Sequence, residues 1–353
     1  MRMVMGSDEV EVTETDIARS TGNPTQLWGR YNVLYREGQR VGNVLRWIGS
    51  AVKGIRTFAY REAHQEGQPI VGVALGGGFA RGIAHVGVLR VLEENDIPVD
   101  VLSGTSVGAL IGAAYASGAT LDELERQGML THFRDFGRWT ISRMGMATNE
   151  RLEGFLRRFT NIKTFEEMKI PFGIVATDLI TGQTVCFTRG EVGPPLRASC
   201  AYPGLFIPVE HEGRMLVDGF LTEHVPCESL RRCMGADVVI AVHLDPGQPN
   251  QKPKNTIEVI GRSFSIVQEQ TPPRWLRYAD VILRPDVKSI HWDDFQKTPE
   301  LVAAGVAAAR EALPEIKMAI KRPVPSFRGV RNNDGNQGVA SMADDSEVAV
   351  RKK

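Results

Sequence analysis

The sequence predicts an α/β protein. Two strand–turn–helix units follow one another at residues 70–95 and 98–116, and further short apolar runs alternate with helical patterns downstream. At 353 residues the chain has room for one large α/β domain with extensions, or for two smaller domains. Lys+Arg and Asp+Glu balance at 42 each, so there is no excess charge to draw a nucleic acid, and none is expected as a partner.

Residues 1–25 are polar and acidic (Asp8, Glu9, Glu11, Glu14, Asp16), without a sustained apolar period, and read as a disordered arm. A secretory leader needs a basic start and an apolar run there instead. No stretch approaches the ~20 uninterrupted apolar residues of a membrane-spanning helix. Cys186, Cys200, Cys227 and Cys233 lack metal-ligand spacing and read as reduced, mostly buried thiols, which suits a cytoplasmic protein.

Residues 26–62 differ from the arm. Leu27, Tyr31, Leu34, Val41, Leu45, Ile48, Val52 and Ile55 recur at helical spacing, flanked by Trp28, Tyr35, Trp47 and Phe58. Arg30, Arg36, Arg40, Arg46, Lys53, Arg56 and Arg61 outnumber Glu37 and Glu62. Such a basic amphipathic extension, taken to residue 68, fits a peripheral contact with the inner, anionic face of a membrane; it equally fits a helix packed on the main domain. The main domain is taken as 69–321 and the tail 322–353, rich in Gly, Asn and Ser, as disordered.

The first strand (residues 70–75) runs into Gly76-Gly77-Gly78-Phe79-Ala80-Arg81-Gly82, and a helix follows over 83–95. Successive glycines before a helix leave backbone N–H groups facing one point, an anion nest. A dinucleotide fingerprint would need a third glycine at position 81, which is Arg81; Gly82 comes one residue late. An oxyanion hole suits the loop better, because a candidate nucleophile follows on the next unit.

That candidate is Ser106, within Gly104-Thr105-Ser106-Val107-Gly108, between an apolar run at 98–103 and a small-residue helix at 109–116. Strand, sharp turn and helix are the setting of a G-x-S-x-G nucleophile elbow. Glycine on both sides relieves the crowding of strand against helix, and the helix dipole points at the serine. Taken alone, the same five residues also read as a plain glycine-rich turn.

Residues 120–131 read as an exposed helix capped by Thr120 with Glu123. Residues 132–150, with Phe133, Phe136, Trp139, Met144 and Met146, read as a loop or short helical insert, either a lid or acyl-chain wall or an ordinary packed connection. Helices follow at 150–159 and 194–200, with strands at 172–178 and 184–187. Asp218 ends an apolar strand before Gly219; such an aspartate is commonly a turn-former, yet Ser106 needs a base. None of the seven histidines stands in a late loop after an acid, as a Ser–His–Asp triad of the α/β-hydrolase order requires. His85 reads as a packing or hydrogen-bonding residue and His243 as a sheet-end residue. Further strands are expected at 237–243 and 279–283, and helices at 257–269 and 298–313.

As a set, these motifs closely resemble the patatin-like phospholipase family in its bacterial form related to neuropathy target esterase. The shared pattern is the glycine loop with Arg81, then Gly104-Thr105-Ser106-Val107-Gly108, then Arg197-Ala198-Ser199 with Pro203 and Pro208, then Asp218-Gly219. The resemblance spans roughly residues 71–283. It implies a three-layer α/β/α sandwich on a mostly parallel sheet. It also implies a Ser106–Asp218 dyad without histidine, with Gly76, Gly77 and Gly78 as the oxyanion loop and Arg81 bracing it. The implied reaction is hydrolysis of a carboxylic ester in a phospholipid or lysophospholipid, without metal or cofactor. An acyltransferase on the same site, or a membrane-binding module with a vestigial site, are the other readings. Phe220 departs from the Ala or Gly usual after Asp-Gly, and would narrow the site or shift Asp218.

Overall fold

The structure is a computed structural model that describes residues 2–5, 8–11, 68–140, 142–245, 252–270 and 273–322. The chain divides into two units, 1–63 and 64–353. In the first unit, β1 (Arg2–Met5) pairs antiparallel with β2 (Asp8–Glu11). Part of the arm expected to be disordered is therefore paired strand; Val4 and Val10 give these short segments strand propensity. The basic extension expected over 26–62 and the tail from 323 lie outside the described residues.

The second unit opens with β3 (Val71–Leu75), α1 (Ala84–Glu94), β4 (Val101–Thr105), α2 (Val107–Ala116) and α3 (Leu121–Leu130). There follow β5 (Arg138–Trp139), β6 (Ala147–Thr148), α4 (Arg151–Leu156), β7 (Phe172–Asp178), β8 (Thr184–Phe187) and α5 (Gly193–Ser199). The chain continues through β9 (Val209–His211), β10 (Arg214–Asp218), α6 (Phe220–Glu223), α7 (Cys227–Met234) and β11 (Val238–Val242). It ends with α8 (Thr256–Gln270), β12 (Val281–Leu283) and α9 (Thr298–Ile320).

Eight strands form one mixed sheet in the order β12-β11-β3-β4-β7-β10-β9, with β8 also on β7. The run β12, β11, β3, β4, β7 is parallel, while β8, β9 and β10 join antiparallel. Strands β3, β4 and β11 are buried along their whole length, as strands covered on both faces must be. Alternation along β4 shows the two covers. Leu102 points at α2, beside Gly112, whereas Ser103 donates to the Pro226 carbonyl at the start of α7. α1 and α9 pack together through Gly87 and Gly305.

The expected elements are largely present. Thr120 and Glu123 form the capping box foreseen for α3. Three expectations change. The 132–150 insert is the expected loop with a short helical turn at Phe133–Asp135, but it also carries a small antiparallel pair, β5 with β6, set on the chain at 205–207. The last helix does not stop at Leu313 but runs through Pro314 to Ile320, because Ile316 and Ala319 are buried and hold it past the proline. Of the four cysteines, only Cys227 is buried and the others are half-buried.

Candidate active site

The carboxyl ends of β3 and β4 meet the end of β10 at one place. Ser106 occupies the corner between β4 and α2 with φ 55 and ψ −123. A left-handed serine stores strain, and such strain clusters at functional sites. The corner closes only with glycine on either side. A Cβ on Gly104 would run into the Gly108 carbonyl, and one on Gly108 into the Leu75 carbonyl. Asp218 ends β10, and a Cβ on Gly219 would run into the Val175 carbonyl of β7. The register sets Thr105 beside Val175 on one side of β7 and Asp218 beside Ala176 on the other.

Side chains from β4 and β7 fix the Asp218 segment. Thr177 donates to the Asp218 carbonyl at 3.0 Å, and Thr105 donates to the Glu223 carbonyl at 2.9 Å. The Asp218 amide donates to the Ala201 carbonyl at 3.0 Å. Its carboxylate accepts the Phe220 amide at 3.0 Å and feels the neighbouring Ser106 hydroxyl. Asp218 is 1% exposed and Ser106 8% exposed. Burial pushes the Asp218 pKa up to about 7, with the two donors opposing the rise. Burial and then the Asp218 charge raise Tyr202 to about 12 and hold the Cys200 thiol well above its usual value, with Ser106 opposing the rise at Cys200.

Ser199 is a residue whose role the sequence does not reveal. Its hydroxyl accepts the Ser106 amide at 2.8 Å and donates to the Val175 carbonyl at 2.6 Å. It thus ties the strained corner to the neighbouring strand, and it is fully buried. Only the tertiary fold brings α5 to this point.

The glycine loop lies against the same corner: a Cβ on Gly77 would be 3.4 Å from Ser106 Cβ. Its amides are not equivalent, contrary to the expectation that all three face an anion. Gly76 donates to the Val242 carbonyl at 3.1 Å and Gly77 to the His224 carbonyl at 3.2 Å, bonds that fasten the loop to its neighbours. Among the described residues the Gly78 amide has no such partner. Arg81 braces the loop, donating to the Ile290 carbonyl at 2.8 Å and the Asp245 carbonyl at 3.4 Å.

Phe220 does not displace Asp218. Its ring turns away and stacks on Tyr202, with centroids 5.1 Å apart and planes 11° apart, while Phe264 of α8 packs edge-on at 5.2 Å. Phe79, directly after the glycine loop, joins the same aromatic group through Tyr202 at 5.5 Å. Phe79, Tyr202, Phe220 and Phe264 thus form one aromatic group that reaches the Asp218 turn through Phe220.

Three histidines lie behind the loop, His85 buried and His224 and His243 half-buried. His85 donates from Nε2 to the Gly76 carbonyl at 2.8 Å, as a hydrogen-bonding residue should. His224 and His243 stack edge to face at 5.3 Å, and His224 borders Gly77. Among the described residues no three His, Cys, Asp or Glu side chains are grouped to hold a metal, and no helix is long and apolar enough to cross a membrane.

Residues 73–231 match the family described as Patatin-like phospholipase. Over 201 residues the chain is 34% identical to an uncharacterized NTE family protein of Mycobacterium tuberculosis, a match covering 55% of each protein. It is 33% identical over 201 residues to lysophospholipase nte1 of Aspergillus fumigatus, covering 55% of this chain and 13% of that one. The chain thus spans about half the length of the mycobacterial relative and a small part of the fungal one. VipD from Legionella pneumophila superposes with a TM-score of 0.42 at 13% identity, over 71% of this chain and 67% of that one.

Proposed function

We propose that this member of the patatin-like phospholipase family hydrolyses carboxylic esters of lipids, with Ser106 as nucleophile and Asp218 as its base. The observation that carries the proposal is the meeting, in one corner, of the Ser106 side chain and a buried carboxylate whose pKa sits at about 7. A base is most effective when its pKa lies near the working pH. Ser106 Oγ attacks the ester carbonyl while its proton passes to Asp218. The tetrahedral oxyanion is met by the Gly78 amide and by the first amides of α2, which have no partner within their own helix. The Ser106 amide is taken by Ser199 and is not among the donors. Collapse breaks the ester C–O bond, and Asp218 returns its proton to the departing alcohol. Water, deprotonated by Asp218, then attacks the acyl-serine and releases the fatty acid.

The family and the name of the fungal relative make a lysophospholipid the first substrate to try. The aromatic group of Phe79, Tyr202, Phe220 and Phe264 offers an acyl chain an apolar bed beside the Asp218 turn. The test is fatty-acid release from a lysophospholipid, and turnover of a short soluble ester, by the full chain and by Ser106→Ala. Replacing the serine removes both activities and leaves the melting temperature in place. Wild-type turnover by Ser106→Ala would refute the assignment.

A further inference from the structure

We infer that the β5–β6 hairpin is the edge by which the protein docks on an anionic phospholipid surface, an inference that rests on the reading of the site as a lipid hydrolase. The hairpin presents Arg138, Trp139, Arg143, Met144 and Met146 to solvent, with Trp139 65% and Met144 50% exposed. Large apolar side chains this exposed, set among bases, need a surface that accepts both. Between residues 136 and 149 there are two arginines and no acid. Of the acids just outside, Asp135 is held by Arg158 at 3.0 Å and Glu153 by Arg197 at 3.4 Å, which leaves exposed Glu150 against the two arginines.

The chemistry selects the occupant. Tryptophan settles at headgroup depth, methionine enters the acyl region, and arginine pairs with phosphate while its stem stays apolar. Each basic residue gains from the negative potential of an anionic leaflet. The inner part of the insert is not available for docking, because Phe136 packs on Phe155 and Phe295.

The hairpin is also joined to the site. The Met146 and Ala147 amides donate to the Leu205 carbonyl at 3.0 and 2.9 Å, and the Ile207 amide donates to the Ala147 carbonyl at 3.0 Å. Leu205 lies on the loop that starts at Tyr202, whose phenol feels the Asp218 charge. A lipid surface under the hairpin would therefore lie beside the loop that borders the reacting pair.

The test is co-sedimentation of the full chain with phosphatidylcholine vesicles, with and without phosphatidylglycerol. The wild type partitions onto the phosphatidylglycerol vesicles in preference to the neutral ones. Arg138→Glu with Arg143→Glu weakens that binding roughly tenfold or more, and Trp139→Ala weakens it roughly severalfold. Both variants keep the wild-type melting temperature and the wild-type turnover of a short soluble ester, and both lose hydrolysis of vesicle lipid. Equal partitioning of wild type and variants would overturn the inference, as would wild-type indifference to phosphatidylglycerol. If no ester is turned over by any form, the hydrolase reading fails, and the sedimentation result still decides the hairpin.

Discussion

The glycine loop after β3 has buried polar groups on both of its sides, and they behave oppositely. On one side Ser106 stands beside Asp218; on the other lie His85, His224 and His243. Burial raises the carboxylate to about 7, whereas it lowers the histidines to about 4, about 4 and about 3. The same desolvation keeps both groups neutral over more of the pH range, but only the carboxylate is left titrating near neutrality. The carboxylate, moreover, stands beside the Ser106 hydroxyl. The lesson is that burial shifts a group, while contact with the reacting atom gives it a task.

The comparison breaks most visibly at the base. Asp218→Asn lowers turnover by roughly three to four orders of magnitude, and His224→Asn leaves it within about tenfold of wild type. Steady-state kinetics on a soluble ester measures both, and a reversed ranking would move the base to the histidine side.

Ser199 sharpens the comparison one step out from the chemistry. Ser199→Ala strips partners from the Ser106 amide and the Val175 carbonyl. The expected result is a kcat reduced by roughly 10- to 100-fold with KM little changed, together with about 1–3 kcal/mol of lost stability. Ser199→Cys should restore part of kcat. A change confined to KM would argue against a positioning role.

The two sides also pull stability in opposite directions with pH. The folded-state pKa of Asp218 lies above its ordinary 3.8, so folded protein retains a proton that unfolded chain has released between those values. Stability therefore falls as pH rises from about 4 to about 7. Glu223, raised to about 7 mainly by burial, adds the same slope. The histidines have depressed folded pKa values, so their share is present above the unfolded pKa of 6.5 and is lost as pH falls toward about 4. Removing Asp218 by Asp218→Asn flattens this fall between about pH 4 and about pH 7 by about 4 kcal/mol at most, leaving that of Glu223. Thermal melts across this range provide the check.

Much of this frame is legible in the residues. Short apolar runs mark the parallel strands because burial on both faces leaves no polar alternation. Gly104 and Gly108 mark the corner because no other residue fits against the facing carbonyls. What escapes local reading depends on neighbours distant in sequence. Asp218 looks like a turn residue until β7 sets it near Ser106. The amides of Gly76 and Gly77 look free until Val242 and His224 take them. Cys227–Met234 is too short to stand out as a helix by its spacing, yet Leu230 buries it against Gly72 of β3. Phe220 looks like an obstruction until Tyr202 and Phe264 give its ring a place to pack.

The central claim is that Asp218 deprotonates Ser106. The rate at which a fluorophosphonate labels Ser106, followed from about pH 4 to about pH 9, tests it most directly. Labelling should rise through a single step near pH 7, set by the carboxylate that burial has shifted to about 7, and Asp218→Asn should abolish that step. A step near pH 4, where His224 titrates, or a profile unchanged in Asp218→Asn, would contradict the account.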